Sequence, residues 1–588
     1  MEIRRIDPPC WFANMNNHNL QLIVYGADLK DVKVKIKYDI ELAYEIVSMT
    51  DDYIILDVDV SDAKPNTKIV LTLSKGARTI VGDYCFLSRR NKRIESFSMK
   101  DSIYLLMPDR FSVEATSSKK RLKIDATNPD CWHGGTINGM TNHIDDIADM
   151  GFTAIWHTPV FENAQKVSDG IQYYDYHGYA ITDFYKIDPH FGTINDYCDF
   201  VDTAHQKGVK VIMDIVFNHY GINHPFVSNP PIKDWVNHLG SNQKLLTNYS
   251  PLTDYDRYAS EYDKQHFAKG WFTHSMPDIN LENEEVLTYM TQMSIWWIET
   301  ADIDAFRIDT YPYAGVNNME EWQRRLYVEY PGFPLLAEAW VGETEYIAKI
   351  QNKNFAAVER SKLMFMDFAF QRRISEAFTK NSAQSLYTHF ALDFAYREPT
   401  QLLAFIDNHD VNRWLYEHPT LAELKQAIGI LLTVPRIPQV YYGTEILLTY
   451  NGKIPSHGNM RLNYPWNQPL NTQQLEFQNY LTRLLIWREK CRCITEGEML
   501  HFVPLDDNVY VYFRYLKDAK CDVDLSAPAV MVMVNFSAKA VTVDMARFRE
   551  ILVGRTIATD VVANKDYSPN LLKSIKIESH DILILILN

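Results

Sequence analysis

The chain has 588 residues, 46% hydrophobic and 13% aromatic, enough apolar surface for more than one core and a composition that excludes a disordered or fibrous polymer. Its formal charge of −16, from 59 basic and 75 acidic residues without a long single-sign block, argues against a nucleic-acid backbone or an anionic membrane as partner and favours a neutral ligand. Seven cysteines scattered from Cys10 to Cys521 without CxxC spacing predict neither a disulfide framework nor a zinc ribbon.

The opening MEIRRIDPP lacks the apolar core of a signal peptide, and no apolar run approaches the ~18 residues that span a bilayer, so no membrane insertion is expected. Cytoplasmic and periplasmic locations both stay open, since a removed signal leaves no trace. The first ninety or so residues read as strands: LQLIVYG from Leu20, VKVKIKY from Val32, YIILDVDV from Tyr53 and TKIVLTL from Thr67. The lysine alternation in VKVKIKY marks a half-exposed strand, and turn signals between the runs predict a β-sandwich over residues 1–97. The basic stretch Ser88 to Arg93 reads as a linker.

From about residue 98 the pattern becomes short apolar strands followed by helical segments. The strands are SIYLLMP, FTAIWHTP, VKVIMDIVFNH, DAFRID, PLLAEAW, LMFMDF, LLAFIDNHD and PQVYYGTE. Eight strands alternating with helices imply parallel pairing with right-handed crossovers, an α/β fold that suits a (β/α)8 TIM barrel over residues 98–495. An open doubly wound sheet is the alternative, and the absence of G-x-G-x-x-G after an early strand removes support for its dinucleotide-binding form. Residues 220–270, rich in Pro, Asn, Tyr and Asp, are too long for an ordinary loop and predict a subdomain inserted after strand three. Strands return over residues 496–588, with NVYVYFRY from Asn508, VMVMVNF from Val530 and DILILILN from Asp581. The last is apolar on both faces, which places it between two layers in a closing β-sandwich.

A barrel of this kind carries its functional groups where strands end. That puts Asp214, Asn218 and His219 after strand three, Arg307 and Asp309 on strand four, Glu338 on strand five, and His409 and Asp410 after strand seven, around one mouth. Arg307 and Asp309 share a strand face, so the guanidinium is expected to lower the Asp309 pKa and hold a poised anion, either a structural ion pair or a nucleophile. Glu338, among leucines, alanines and a tryptophan, is expected to have a raised pKa suited to a general acid. Two carboxyls pushed apart in this way, about 5 Å from each other, describe a retaining glycoside hydrolase. His219 and His409 match no zinc spacing and make better sense as neutral donors to sugar hydroxyls, though as single residues either also fits a core or surface role. The 35 tyrosines, 28 phenylalanines and 12 tryptophans suit the apolar faces of sugar rings as well as a core.

DIVFNH from Asp214, AFRID from Ala305, LLAEAW from Leu335 and FIDNHD from Phe405 together resemble, in order, the four signature regions of glycoside hydrolase family 13, the α-amylase family. DYHGY from Asp175 is similar to the segment whose first tyrosine stacks on the sugar being cleaved, here Tyr176, and TPVFEN from Thr158 to the segment after strand two. The N-terminal segment resembles the sandwich of the cyclomaltodextrinase, neopullulanase and maltogenic amylase group. The resemblance implies Asp309 as nucleophile, Glu338 as acid/base and Asp410 as the third carboxylate. It also implies Tyr176, His219, Arg307, His409 and Trp340 as substrate-binding residues, with Asp214 and Asn218 as structural residues at the site.

The implied activity is starch-type α-glucan hydrolysis, of α-1,4 and also α-1,6 bonds, in cyclodextrins, pullulan and short maltooligosaccharides. A transglycosylating glucanotransferase and a non-catalytic glucan-binding protein are the alternatives. Some members of the group form a homodimer in which one N-terminal domain roofs the partner's site. MPDIN, Met276 to Asn280, carries Asp278 where that group usually has lysine, which leaves the balance of bond types open. The chemistry requires no cofactor. The stretch after PDRF at Pro108 departs from the calcium loop of several relatives, which argues against calcium there, and Asn218, a calcium ligand in many α-amylases, is not given that role. The metal content stays unknown.

Overall fold

The computed structural model describes residues 1–37, 42–114, 124–163, 165–168, 171–239, 245–555, 557–567 and 573–588. Its centre is a closed barrel of eight parallel strands: β1 Ile103–Leu106, β2 Ala154–His157, β3 Lys210–Val216, β4 Ala305–Asp309, β5 Leu335–Ala337, β6 Leu363–Met366, β7 Leu402–Phe405 and β8 Ile437–Tyr441. They are the eight apolar runs of the sequence, each pairing with its successor and β8 closing on β1. Both strand faces are buried, one inside the barrel and one under the helices, which is why these runs show no polar alternation. Truncating one of these aliphatic side chains, for example Ile308→Ala, would cost about 2–5 kcal/mol.

Two four-stranded sheets precede the barrel and form the N-terminal sandwich. The strand Lys33–Lys37 alternates exposed lysine with buried Val34 and Ile36. The sandwich is tied to the barrel by a reciprocal amide pair: Gln292 Oε1 accepts from Gln21 N–H and its Nε2 donates to Gln21 O, both at 2.8 Å. Arg5 adds an ion pair to Asp183. The Ser88–Arg93 stretch is more than a linker. Arg89 pairs with Glu299 and Glu329, and Lys92 with Asp302 and Asp304, clamping it to the C-terminal ends of the helices Glu284–Ala301 and Val316–Glu329 and to the turn after the first.

The insertion after β3 holds the helix Glu261–Lys269 and isolated bridges such as His219 to Asp278 and Val236 to Ile279, so it folds back over the barrel mouth. Residues 240–244 of it lie outside the described residues, as do 115–123 of the departure after Pro108. At the other end, the strand Asp581–Leu587 lies in a six-stranded sheet whose inner face packs on the barrel helix Leu421–Thr433. Gln426 fastens that helix by donating to Asn535 O and Asp581 O. Among the described residues, no helix is long and apolar enough to cross a membrane.

Candidate active site

Parallel register sets Asp214 on β3 level with Arg307 on β4, and two residues further on both strands the chain reaches the mouth at Val216 and Asp309. Alternation then sends Arg307 and Asp309 to the same interior face. Arg307 Nη1 donates to Asp214 Oδ1 at 2.9 Å and to Asp309 Oδ1 at 2.8 Å, while Nη2 lies 2.7 Å from Glu338 Oε2. One fully buried guanidinium therefore serves three carboxyls. With every acid ionised the cluster would be a net dianion in a largely buried site, which favours acids that share protons.

That arrangement corrects the expectation for Asp309. Burial pushes its pKa up to about 6; Arg307 opposes the rise without overcoming it, and Asp214 and Asp410 add to it. Reading one arginine beside one aspartate predicts a lowered value; sharing the arginine three ways and excluding water reverses the sign. Glu338, 4% exposed, follows its expectation: burial raises its carboxyl to about 7, opposed by Arg307 and reinforced by Asp309 and Asp410. Near neutral pH, Asp309 is thus the more readily ionised of the two and Glu338 the better proton donor.

Thr310 connects these groups. Its φ of 45° is a left-handed conformation that a β-branched residue rarely adopts, at a cost of about 1–3 kcal/mol. From it the Thr310 N–H donates to Glu338 Oε2 at 3.0 Å and the hydroxyl to Asp309 Oδ2 at 3.2 Å.

Asp214 is the structural hub. It accepts from Trp156 Nε1 at 3.0 Å, from the Tyr179 hydroxyl at 2.8 Å and from Arg307. Tyr179 has one proton and donates it to Asp214, so its oxygen accepts from His409 Nε2, 2.7 Å away. His409 Nε2 also lies 3.1 Å from Asp410 Oδ2. Burial, partly opposed by Asp410, lowers the His409 pKa and keeps the ring neutral as the Nε2–H tautomer. Asp410 keeps its charge: burial works against it, and His409, Arg461 and Arg307 outweigh burial to lower its pKa. Arg461 also braces this end of the site. It donates to Asp410 Oδ1 at 3.0 Å, to His409 O at 2.8 Å and to the Tyr176 hydroxyl at 3.2 Å.

Tyr176 is held in turn by Arg110, whose guanidinium carbon lies 3.9 Å from the ring centroid. His219 donates from Nε2 to Tyr179 O at 3.1 Å and stacks on Phe272 of the insertion; burial lowers its pKa to about 3 and keeps it neutral. Trp340, 50% exposed, stacks on Phe368 and offers its outer face at the rim. The structure thus brings all ten sequence-selected residues to one mouth. Trp156, Tyr179, Thr310 and Arg461 were not selected. Tyr179 lies inside the quoted DYHGY, whereas Arg461 comes from a loop after β8 with no motif to mark it.

The Asn218 amide, turned with its nitrogen towards them, donates to Asp278 Oδ1 at 3.2 Å and Tyr313 O at 3.1 Å, and Asn237 donates to Asp278 Oδ2 at 2.8 Å. Burial raises the Asp278 pKa well above the ordinary carboxylate value, opposed by the Asn237 amide.

Residues 105–479 match the family of α-amylase catalytic domains, residues 5–90 the N-terminal domain of cyclomaltodextrinases, and residues 499–586 their C-terminal domain. A cyclomaltodextrin glucanotransferase of Bacillus licheniformis is 27% identical over 435 residues, 70% of this chain and 57% of that protein, so the chain spans little more than half of that relative's length. An Anoxybacillus α-amylase structure superimposes with a TM-score of 0.69 at 28% identity, covering 84% of this chain and 99% of that one. A cyclomaltodextrinase structure covers 99% of both chains with a TM-score of 0.65 at 16% identity, a likeness of fold.

Proposed function

This chain belongs to the α-amylase family, with the terminal domains of the cyclomaltodextrinases, and we propose that it is a retaining hydrolase of short α-glucans. Its substrates in this reading are cyclodextrins, pullulan and maltooligosaccharides, cleaved at α-1,4 and also α-1,6 bonds. The observation that carries the reading is the shared Arg307: it holds Asp309 and Glu338 on one guanidinium, so two carboxyls of the kind a double displacement uses meet at one site.

Asp309 attacks the anomeric carbon while Glu338 gives its proton to the departing glycosidic oxygen. Glu338, now ionised, takes a proton from water, and the hydroxide opens the glycosyl ester with net retention. Asp410, gripped by Arg461 and His409, grasps sugar hydroxyls, and Tyr176 supplies the ring face beneath the sugar undergoing cleavage. In this cycle protons move between Glu338, the departing oxygen and the incoming water, and no step draws on a metal or cofactor.

The test is a product profile from separate incubations with β-cyclodextrin, pullulan, soluble starch and maltotriose, with Glu338→Gln as control. Cyclodextrin and pullulan cleaved well ahead of starch, and nothing from the control, are expected. Starch cleaved as readily as cyclodextrin would contradict the substrate class. A second reading, transfer of the glycosyl group to a sugar hydroxyl, is favoured by the similarity to a protein named as a glucanotransferase. Products longer than the substrate at high maltotriose would mark it.

A further inference from the structure

The insertion after β3 lays two short stretches side by side at the mouth. Leu246 bridges Trp271, the Trp271 N–H donates to Leu245 O at 2.8 Å and the Thr247 N–H to Trp271 O at 2.9 Å, and Tyr249 and Phe272 leave this pairing as neighbours. The Tyr249 hydroxyl donates to Phe272 O, and the two rings meet at 80° with centroids 5.6 Å apart. Phe272 in turn stacks on His219 at 5.2 Å and meets Tyr313, on the turn after Asp309, at 5.5 Å. His219 is buried, Phe272 half-buried and Tyr249 52% exposed, so the row His219, Phe272, Tyr249 leads from the site to the surface.

Tyr249 is a costly residue for a merely exposed position. Its φ of 52° lies in the left-handed region, which a bulky side chain rarely occupies, and half of the side chain meets solvent, so burial does little to offset the strain. Strain of this kind collects at ligand clamps. The hydroxyl anchor also orders the ring in advance: with only two side-chain torsions, a tyrosine bonded at its far end and flanked by Phe272 has little freedom left to lose. A rigid, half-open aromatic ring suits the apolar C–H face of a glucose unit.

We propose that Tyr249 is a substrate-binding residue, a platform for a glucose unit beyond the bond cleaved, and that, resting on the α-glucan reading above, it gives this site a preference for chains long enough to reach it. Two centroid steps of 5.2 and 5.6 Å separate the Tyr249 ring from His219 at the mouth. A ligand confined to the carboxyls therefore falls short of Tyr249, and a longer chain gains its ring face. The contact adds binding away from the reacting atoms, so it acts on ground state and transition state alike and shows in KM rather than kcat.

The experiment is isothermal titration calorimetry of maltose, maltotriose, maltopentaose and maltoheptaose against the intact Glu338→Gln protein, which lacks the proton donor, alone and combined with Tyr249→Asn or Tyr249→Phe. Asparagine tolerates left-handed backbone, so it removes the ring while keeping the loop; phenylalanine keeps the ring without the anchor. With Tyr249→Asn, the Kd for maltoheptaose should rise about ten-fold and that for maltose less than about two-fold, while Tyr249→Phe should stay within about three-fold at every length. In the enzyme with Glu338 intact, Tyr249→Asn should raise KM for maltoheptaose by a similar factor, with kcat changed less than about two-fold. An equal loss at every chain length would mark a structural role and overturn the proposal, as would no loss at any length. Failure of the Glu338→Gln protein itself to bind any of these sugars would overturn the α-glucan reading, and the platform with it.

Discussion

Buried arginines stand at both ends of the barrel, in opposite company. At the mouth, Arg307 is surrounded by Asp214, Asp309 and Glu338, whose charges outweigh burial and raise its pKa. At the floor, Arg488 donates to Leu432 O, Asp101 O and Arg436 O, and Arg514 to Thr433 O, Ile494 O and Gly497 O. Burial and their mutual repulsion lower Arg488 to about 9, and burial lowers Arg514 to about 10. The mouth has more negative charge than its cation can balance and therefore keeps a mobile proton. The floor arginines tie down the carbonyls leading into β1 and β8, which is a structural task.

The comparison breaks most visibly through the proposed nucleophile. Asp309→Asn should lower kcat on maltotriose by ~10⁴-fold or more while the fold stays intact by circular dichroism. Removing the cations separates the two ends next. Arg307→Met leaves three buried acids without a partner and should cost about 3–5 kcal/mol in urea unfolding at pH 7, whereas Arg488→Met strands neutral carbonyls and should cost about 1–3 kcal/mol.

The mouth should also carry a pH signature that the two floor arginines do not give over the range 4–8. Glu338 has a folded pKa of about 7, above its unfolded value of 4.5, so its burial is free of charge penalty below about pH 4.5 and increasingly unfavourable as pH rises to 7. Glu338→Gln removes that penalty and should gain up to about 3 kcal/mol on wild type between pH 4.5 and 8 in unfolding experiments. The same groups should confine kcat/KM to a narrow bell, its limbs near 6 and 7 being properties of the coupled pair. The smallest effect is expected at the rim. Arg461→Met releases Asp410 and Tyr176 and should reduce kcat/KM by ~10- to 100-fold, much of it in KM.

Much of this was legible in the residues. Eight apolar runs in order specify a closed parallel barrel because a strand buried on both faces has no polar alternation to hide it. That Asp309, Glu338 and Asp410 meet at one mouth could be read because four motifs at four strand ends constrain one another. Arg461 escaped because a single arginine in a motif-free loop becomes part of the site only through tertiary folding. The sign of the Asp309 shift was misread for a related reason: AFRID displays its arginine but hides the two other acids that share it. The Ser88–Arg93 stretch looked like a free basic linker because its acidic partners, from Glu299 to Glu329, lie more than two hundred residues away.

The most direct test of the double-displacement assignment is to incubate Glu338→Gln with α-maltosyl fluoride, whose leaving group departs without an acid, and to map the covalent adduct by peptide mass spectrometry. A maltosyl ester on Asp309, absent from Asp309→Asn, is the predicted result. No adduct, or one on another carboxyl, would contradict it.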